Sequence, residues 1–332
     1  MLAARLKELI RTRGPIPFRD WMEIALYDPD GGYYRRDDLK RWGREGDYRT
    51  SAERSELFAA TFARYFARLH EELGRPPEWT IVEGGGGKRT FAQRVWRELE
   101  AEYPLVLSAT RYCFCEVGHE FKSDFSLYFS NELLDAFPVH LLTDDSELYV
   151  AVENERFVWT KGPLSTPRLA QFLQEHSIKL APGQIIEVNL AVDDWLAGVA
   201  AKLKHGYLIT VDYGAEQDEL YDPILRPQGT LRAFSKHGFV DDVLSAPGEY
   251  DITSSVNWTQ VMATGERLGL EVVEFSSQDK FLLKAGLLDV LQKKSERAST
   301  DAGKLQLTAD AREMILPGGM ASSFQVLVQK RR

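Results

Sequence analysis

Apolar residues recur along this chain at two spacings, and the changes between them outline its elements. Leu2, Leu6 and Ile10 are four apart with basic residues between them, which predicts a short amphipathic helix ending at Gly14–Pro15. Residues 14–50 are rich in Gly, Pro, Asp and Tyr and read as turns and loops. Phe58, Phe62, Tyr65, Phe66 and Leu69 then make one apolar stripe on a predicted helix over residues 51–73. Thr50 with Glu53 forms a capping box at its start, and Gly74 with Pro76–Pro77 stops it. Next come a predicted strand at 79–83, four glycines, a helix at 90–103, and strands at 111–117 and 126–130. Residues 141–160 alternate as an antiparallel ribbon with turns at 143–146 and 153–155. Helices at 167–177 and 192–204 bracket a strand at 184–188, and 207–212 is a continuous apolar run suited to a buried parallel strand. A helix at 256–268 and strands at 270–276 and 324–329 close the chain.

Strand, glycine turn, helix, strand is the beginning of a doubly wound, Rossmann-like α/β sheet, to which the terminal strand pair adds an antiparallel edge. The chain has 332 residues, slightly beyond the size at which single cores stop growing. We therefore expect an N-terminal helical and loop portion over 1–75 packing on a core domain over 76–332, with a β insertion at about 140–185.

Composition narrows the function. A formal charge of −9 argues against a sequence-independent nucleic-acid binder, which needs a basic surface. The charge is uneven: residues 1–111 balance at +2 and residues 112–332 at −11, as a cationic substrate or a solvated acidic face would require. With 44% hydrophobic and 27% charged residues the chain is not disordered, and no apolar run reaches the ~18 residues that span a bilayer. Two cysteines build no disulfide framework, so a reducing, cytoplasmic setting is expected, and the N-terminus reads as a helix of the fold and not as a transit peptide. Cys113 and Cys115 have no second Cys/His pair to complete a zinc set, so no metal is expected.

Three places carry candidate chemistry. Glu83-Gly84-Gly85-Gly86-Gly87-Lys88-Arg89 lies between a strand and a helix, where glycines let the backbone approach a ligand and the helix N-terminus presents free N–H groups. A P-loop would need glycine at Val82 and Ser or Thr at Arg89, and a dinucleotide fingerprint would need glycine at Arg89 or Thr90. An acid before the glycines is repulsive to a pyrophosphate and attractive to the ammonium and sulfonium of S-adenosylmethionine (SAM). Glu116, at a strand end, is placed to accept both ribose hydroxyls of a nucleoside, in SAM or NAD alike. Asn131, Glu132 and Asp135 follow a strand directly, where open α/β sheets place their ligands, although acids in a helix's first turn are also favoured structurally.

Together these segments resemble the MidA-type SAM-dependent methyltransferases, relatives of the mitochondrial complex I assembly factor that methylates an arginine of a partner subunit. The resemblance runs end to end through GPIPFRDWMEIALYDPDGGYY (14–34), GDYRTSAERSELF (46–58), IVEGGGGKRTF (81–91), SNELLDAFPVHLL (130–142), IEVNLAVDDW (186–195), VDYG (211–214), GTLRAFSKH (229–237), PGEYDITSSVNW (247–258), FLLKAGLLDVL (281–291) and LPGGMASSFQVL (316–327). It implies a mostly parallel seven-stranded sheet, an N-terminal helical portion and an inserted β cap. It also implies SAM as cofactor and a protein substrate bearing an arginine, without nucleic acid or membrane insertion. Residue by residue, Glu83, Gly85 and Gly87 match the SAM loop, Glu116 the ribose acid, and Thr50 and Ser51 a pair facing the cofactor. Asn131, Glu132 and Asp135 match the post-strand motif, and for methyl transfer to a guanidinium a carboxylate at Glu132 is expected to orient it and take up its proton. The chain departs from the family in two places. The glycine near Arg89 is missing, and only fifteen steps separate Glu116 from Asn131, where relatives fit a helix and a strand. An assembly or binding factor with a weakened or lost methyltransferase site is the alternative reading.

Overall fold

The computed structural model describes residues 2–36, 55–116, 123–235, 238–316 and 323–332, arranged in two compact units. One, the glycine-loop unit, comprises residues 50–133, 195–214 and 261–332; the other, the ribbon unit, comprises residues 1–49, 134–194 and 215–260.

The sheet of the glycine-loop unit has six long strands among the described residues. In chain order the long strands are β1 (Trp79–Gly84), β2 (Thr110–Cys115), β3 (Phe125–Asn131), β4 (Leu203–Ala215), β5 (Glu271–Ser277) and β6 (Phe324–Arg331). In space they run β5-β6-β4-β3-β1-β2; β4, β3, β1 and β2 are parallel, and β6 is antiparallel to both neighbours. This is the expected α/β class with its antiparallel C-terminal edge. Among the described residues the sheet ends at β2 on the far side, in keeping with the short stretch between Glu116 and Asn131.

One face of this sheet is covered by an aromatic cluster. Phe91, from the helix Thr90–Glu102, stacks on Phe129 of β3 at 4.5 Å between ring centroids, and Phe62 and Phe66 meet Phe129 edge-on. Such pairs contribute roughly 0.5–1.5 kcal/mol each beyond their burial. Phe62 and Phe66 belong to the helix Glu56–Glu72, which buries Ala59, Ala60, Ala63 and Ala67 as well as its aromatic stripe. A helix apolar nearly all round must be covered on several sides. Here part of the cover comes from the helices Gln278–Ala285, Leu287–Arg297 and Asp301–Ile315, which the sequence reading had not assigned. The helix begins at Glu56, with the Ser55 hydroxyl accepting the Leu57 N–H; the proposed Thr50–Glu53 cap lies outside the described residues.

In the ribbon unit, His140–Thr143, Ser146–Glu153 and Arg156–Gly162 form the expected antiparallel ribbon, extended by Ile185–Val188 beside His140–Thr143, while Ile16–Pro17 pairs with Tyr149 and Val150 on the edge of Ser146–Glu153 away from Arg156–Gly162. Its second turn carries Asn154 and Glu155 at φ 46° and 63°, the paired left-handed residues of a two-residue hairpin loop. The loop reading of residues 14–50 is corrected here. Phe18–Tyr27 is a helix that buries Phe18, Trp21, Met22, Ala25 and Leu26, a 3.6-residue pattern obscured by the Gly, Pro and Asp around it.

Candidate cofactor and substrate site

The parallel strands β1, β2 and β3 bring the sequence-marked residues to one end of the sheet. At the end of β1, Glu83 is 5% exposed and accepts a hydrogen bond from the Tyr112 hydroxyl at 2.9 Å. Burial, opposed by the Tyr112 bond and reinforced by the charge of Glu116, pushes the Glu83 carboxyl up to about 8. Glu116 itself stands exposed one residue past β2.

The run of four glycines has a structural cause. A Cβ at Gly84 would lie 2.1 Å from the Tyr128 hydroxyl, and one at Gly86 would lie 2.9 Å from the Phe114 ring. Gly85 and Gly87 have φ of 66° and 47°, the left-handed region that glycine enters without strain. Arg89, where the family has a further glycine nearby, is itself left-handed at φ 61° and precedes the helix Thr90–Glu102. The loop thus keeps the conformation while losing that glycine, and the Arg89 guanidinium lies 4.5 Å over the Phe114 ring, a cation–π contact that offsets some of the cost.

Asn131 and Glu132 sit at the end of β3, next to this loop. Glu132 is left-handed at φ 52°, a strain of roughly 1–2 kcal/mol in a non-glycine residue. The turn is held on both sides: the Glu132 N–H donates to Val211 O at 2.9 Å, and the Leu133 N–H donates to the fully buried Asp212 at 3.2 Å. Leu133 in turn would be 3.0 Å from a Cβ at Gly84 or Gly85, so the glycine loop and the Glu132 turn are packed together. The Asn131 amide donates to the Glu132 carboxylate at 2.8 Å, which fixes where that charge points. One step back along the strands, the hydroxyls of register partners Ser130 and Thr210 are fully buried and have no partner among the described residues.

Asp135 falls in the ribbon unit, 5% exposed, with its carbonyl accepting the Ser254 N–H at 2.9 Å. That contact engages the 247–258 segment, and Glu187 of the 186–195 segment is likewise internal to this unit. Glu187 is buried and accepts the N–H groups of Thr230 and Leu231 at 2.7 and 2.8 Å, with Gly229 too close to it to carry a side chain. Thr50 and Ser51 lie outside the described residues. Cys113 and Cys115 are half-buried and in no disulfide, and no metal-binding group occurs among the described residues. Tyr112, Tyr128, Phe114 and Asp212 were not singled out from the sequence. Strand alternation across β1 and β2, which pairs Ile81 with Tyr112, is the signal that could have found the first.

The donor set discriminates between ligands. A polyanion at the loop would lie against a buried acid that is already hard to ionise, whereas a cationic group there would favour the carboxylate. The loop, Glu83 and Glu116 could hold a ligand with a cationic group, such as SAM.

The comparisons agree. Residues 119–276 match the model of an S-adenosyl-L-methionine-dependent methyltransferase family. The chain is 24% identical over 369 residues to the mitochondrial protein arginine methyltransferase NDUFAF7 of Mus musculus, covering 95% of this chain and 81% of that one. The Drosophila melanogaster homologue is 25% identical over 327 residues, covering 81% and 70%. A structure from Burkholderia thailandensis with S-adenosyl-homocysteine bound matches with a TM-score of 0.85 and 27% identity, covering 99% of this chain and 92% of that one. The cytoplasmic expectation is overturned by these relatives, which are named as mitochondrial proteins; a low cysteine count reports on redox conditions and not on address. No helix among the described residues is long and apolar enough to cross a membrane. The fold, the acid-and-glycine loop and these matches agree on a SAM-dependent methyltransferase similar to the MidA-type proteins.

Proposed function

We propose that this methyltransferase acts on an arginine of a partner protein, which the family resemblance points to as a subunit of a respiratory complex I type assembly. The names of the relatives from Mus musculus and Drosophila melanogaster support a protein arginine as acceptor. Glu83, Gly85, Gly87 and Glu116 would hold SAM, which supplies an electrophilic methyl group when bound.

The observation that carries the reading is the Glu132 turn. A guanidinium is protonated in water, its pKa being above 12, and must be oriented before it can act as a nucleophile. The Glu132 carboxylate, held by Asn131 and projected from a strained backbone, is suited to that task. Two opposite charges ~4 Å apart at an effective dielectric near 20 attract by about 4 kcal/mol before desolvation, enough to fix a guanidinium in line for displacement. The same carboxylate would take up the proton released as the new N–C bond forms. Asp135, three residues on, is carried by the resemblance as the motif's second acid.

Glu132→Gln tests this. It should leave SAM affinity within about twofold and reduce methylation of the partner by at least the ~10²-fold expected of a lost proton acceptor. Unchanged turnover would remove Glu132 from the mechanism. An intact protein that neither binds SAM nor transfers methyl would favour the assembly-factor reading.

A further inference from the structure

We infer that Tyr112 is the positioning residue for Glu83 beneath the glycine loop, and that this pair couples cofactor binding to release of a proton from Glu83. The inference rests on the assignment of this loop to SAM.

The geometry begins with the location of the carboxyl group. A Cβ at Gly86 would be 3.4 Å from Glu83 Cδ, so the acid lies directly under the loop backbone and not out along the strand. Its neighbour across the ladder is Phe129, in the aromatic cluster with Phe62, Phe66 and Phe91. The two helices on this face therefore bring rings towards the acid. The polar and titratable groups around it come from elsewhere. β2 and the residue after it contribute Tyr112 and Glu116, and β3 contributes Tyr128, whose hydroxyl feels the charge of Glu83. Lys88 and Arg89 are exposed, with Arg89 over Phe114.

Tyr112 is the member of this set that holds the acid by a hydrogen bond. Its hydroxyl donates to Glu83 Oε2 at 2.9 Å from a neighbouring parallel strand. A donated hydrogen bond stabilises the carboxylate over the acid, whereas burial and Glu116 act the other way. The charge state of Glu83 thus depends on what sits at the loop. In the free protein near neutral pH the proton is retained. A cationic ligand arriving above the loop supplies the missing counter-charge, the O–H bond of Glu83 breaks, and the proton passes to solvent. SAM carries a sulfonium that S-adenosylhomocysteine lacks, so the same acid distinguishes substrate from product by charge.

Calorimetric titration of the full chain with SAM and with S-adenosylhomocysteine, at pH 7 in phosphate and in Tris, reads the protons released directly from the difference in heats. The wild type should release a fraction of a proton on binding SAM, and less on binding S-adenosylhomocysteine. Glu83→Gln should bind with equal heats in the two buffers after correction for dilution. Tyr112→Phe keeps the ring and removes only the donor, so the pH at which SAM binding is half-maximal should rise by roughly one unit. A merely structural role for Tyr112 would lower affinity equally at every pH. SAM binding with no proton release by the wild type, or an unshifted midpoint in Tyr112→Phe, would overturn the inference and leave the cofactor assignment intact. Absence of SAM binding in the folded wild type would overturn both.

Discussion

A methyl group added at Gly84 would have no room. The new Cβ would lie 2.1 Å from the Tyr128 hydroxyl, 2.7 Å from Tyr128 Cζ and 3.0 Å from Leu133 Cδ2, where ordinary contact begins near 3.5 Å. Neither neighbour yields readily. Tyr128 is 1% exposed and its ring meets Trp195 edge-on at 5.6 Å, while Leu133 directly follows the strained Glu132. Overpacking of this kind costs about 1–3 kcal/mol, against which the reduced backbone freedom of alanine returns about 0.5–1 kcal/mol. The net expectation for Gly84→Ala is a loss of about 1 kcal/mol, near the middle of the range these terms give. Because relief must displace Leu133 or Tyr128, SAM binding should also weaken. Tyr128→Phe deletes the nearest atom, so in the double variant the penalty of the alanine should shrink by at least ~0.5 kcal/mol, a coupling measurable in a double-mutant cycle. Urea denaturation of the four proteins gives the stabilities and calorimetry gives the affinities. If Gly84→Ala is as stable as the wild type, or its penalty is the same with Phe at position 128, the packing explanation of the glycine run is wrong.

Further expectations follow from the same region. Because the Glu83 carboxyl is raised to about 8 in the fold, the native state holds a proton that the unfolded chain has lost above the usual carboxylate range. Stability of the ligand-free protein should therefore fall as pH rises from about 5 to 8, and Glu83→Gln should flatten that slope in urea titrations across the window. A slope of the opposite sign carried by Glu83 would contradict its placement. At Arg89, Gly should change stability by less than about 1 kcal/mol, since relief of the left-handed strain offsets the lost contact with Phe114. Val there should cost more than Gly, because a β-branched residue resists φ 61°; equal denaturation midpoints would refute the strain argument. Thr210→Val removes a buried hydroxyl without a partner among the described residues, so the denaturation midpoint should rise, by about 1 kcal/mol in stability. A fall in the midpoint would show that the hydroxyl is satisfied in solution.

Much of the sheet was legible because strands betray themselves by local composition. The apolar runs predicted at 79–83, 126–130 and 324–329 match β1, β3 and β6 to within one or two residues at each end. Phe18–Tyr27 was missed although its apolar residues have helical spacing, since Pro15, Pro17 and the Asp-Pro-Asp that follows dominate a reading by turn formers. The three helices after β5 have no assignment from the sequence, and their apolar residues join the core around Glu56–Glu72, Phe281 meeting Phe62 and Tyr65, a demand visible only once that helix is placed. At the site, Glu83 and the glycines stood out because one stretch of chain contains both. Tyr112, Tyr128 and Asp212 act across strands, and their relevance depends on register: Tyr112 reaches Glu83 from β2, and Asp212 holds the Glu132 turn from β4. Cross-strand partnership of this kind leaves no mark in a single stretch of sequence.

The central claim is transfer of a methyl group from SAM to arginine in a protein, with Glu132 as the orienting base. It is tested most directly by incubating the wild type and Glu132→Gln with methyl-labelled SAM and cell lysate, followed by mass spectrometry of the labelled peptides. The account predicts labelled methylarginine at a defined site with the wild type and its loss with the variant, under conditions where both bind SAM. Label confined to other residues, or methylarginine formed equally by both proteins, would contradict it.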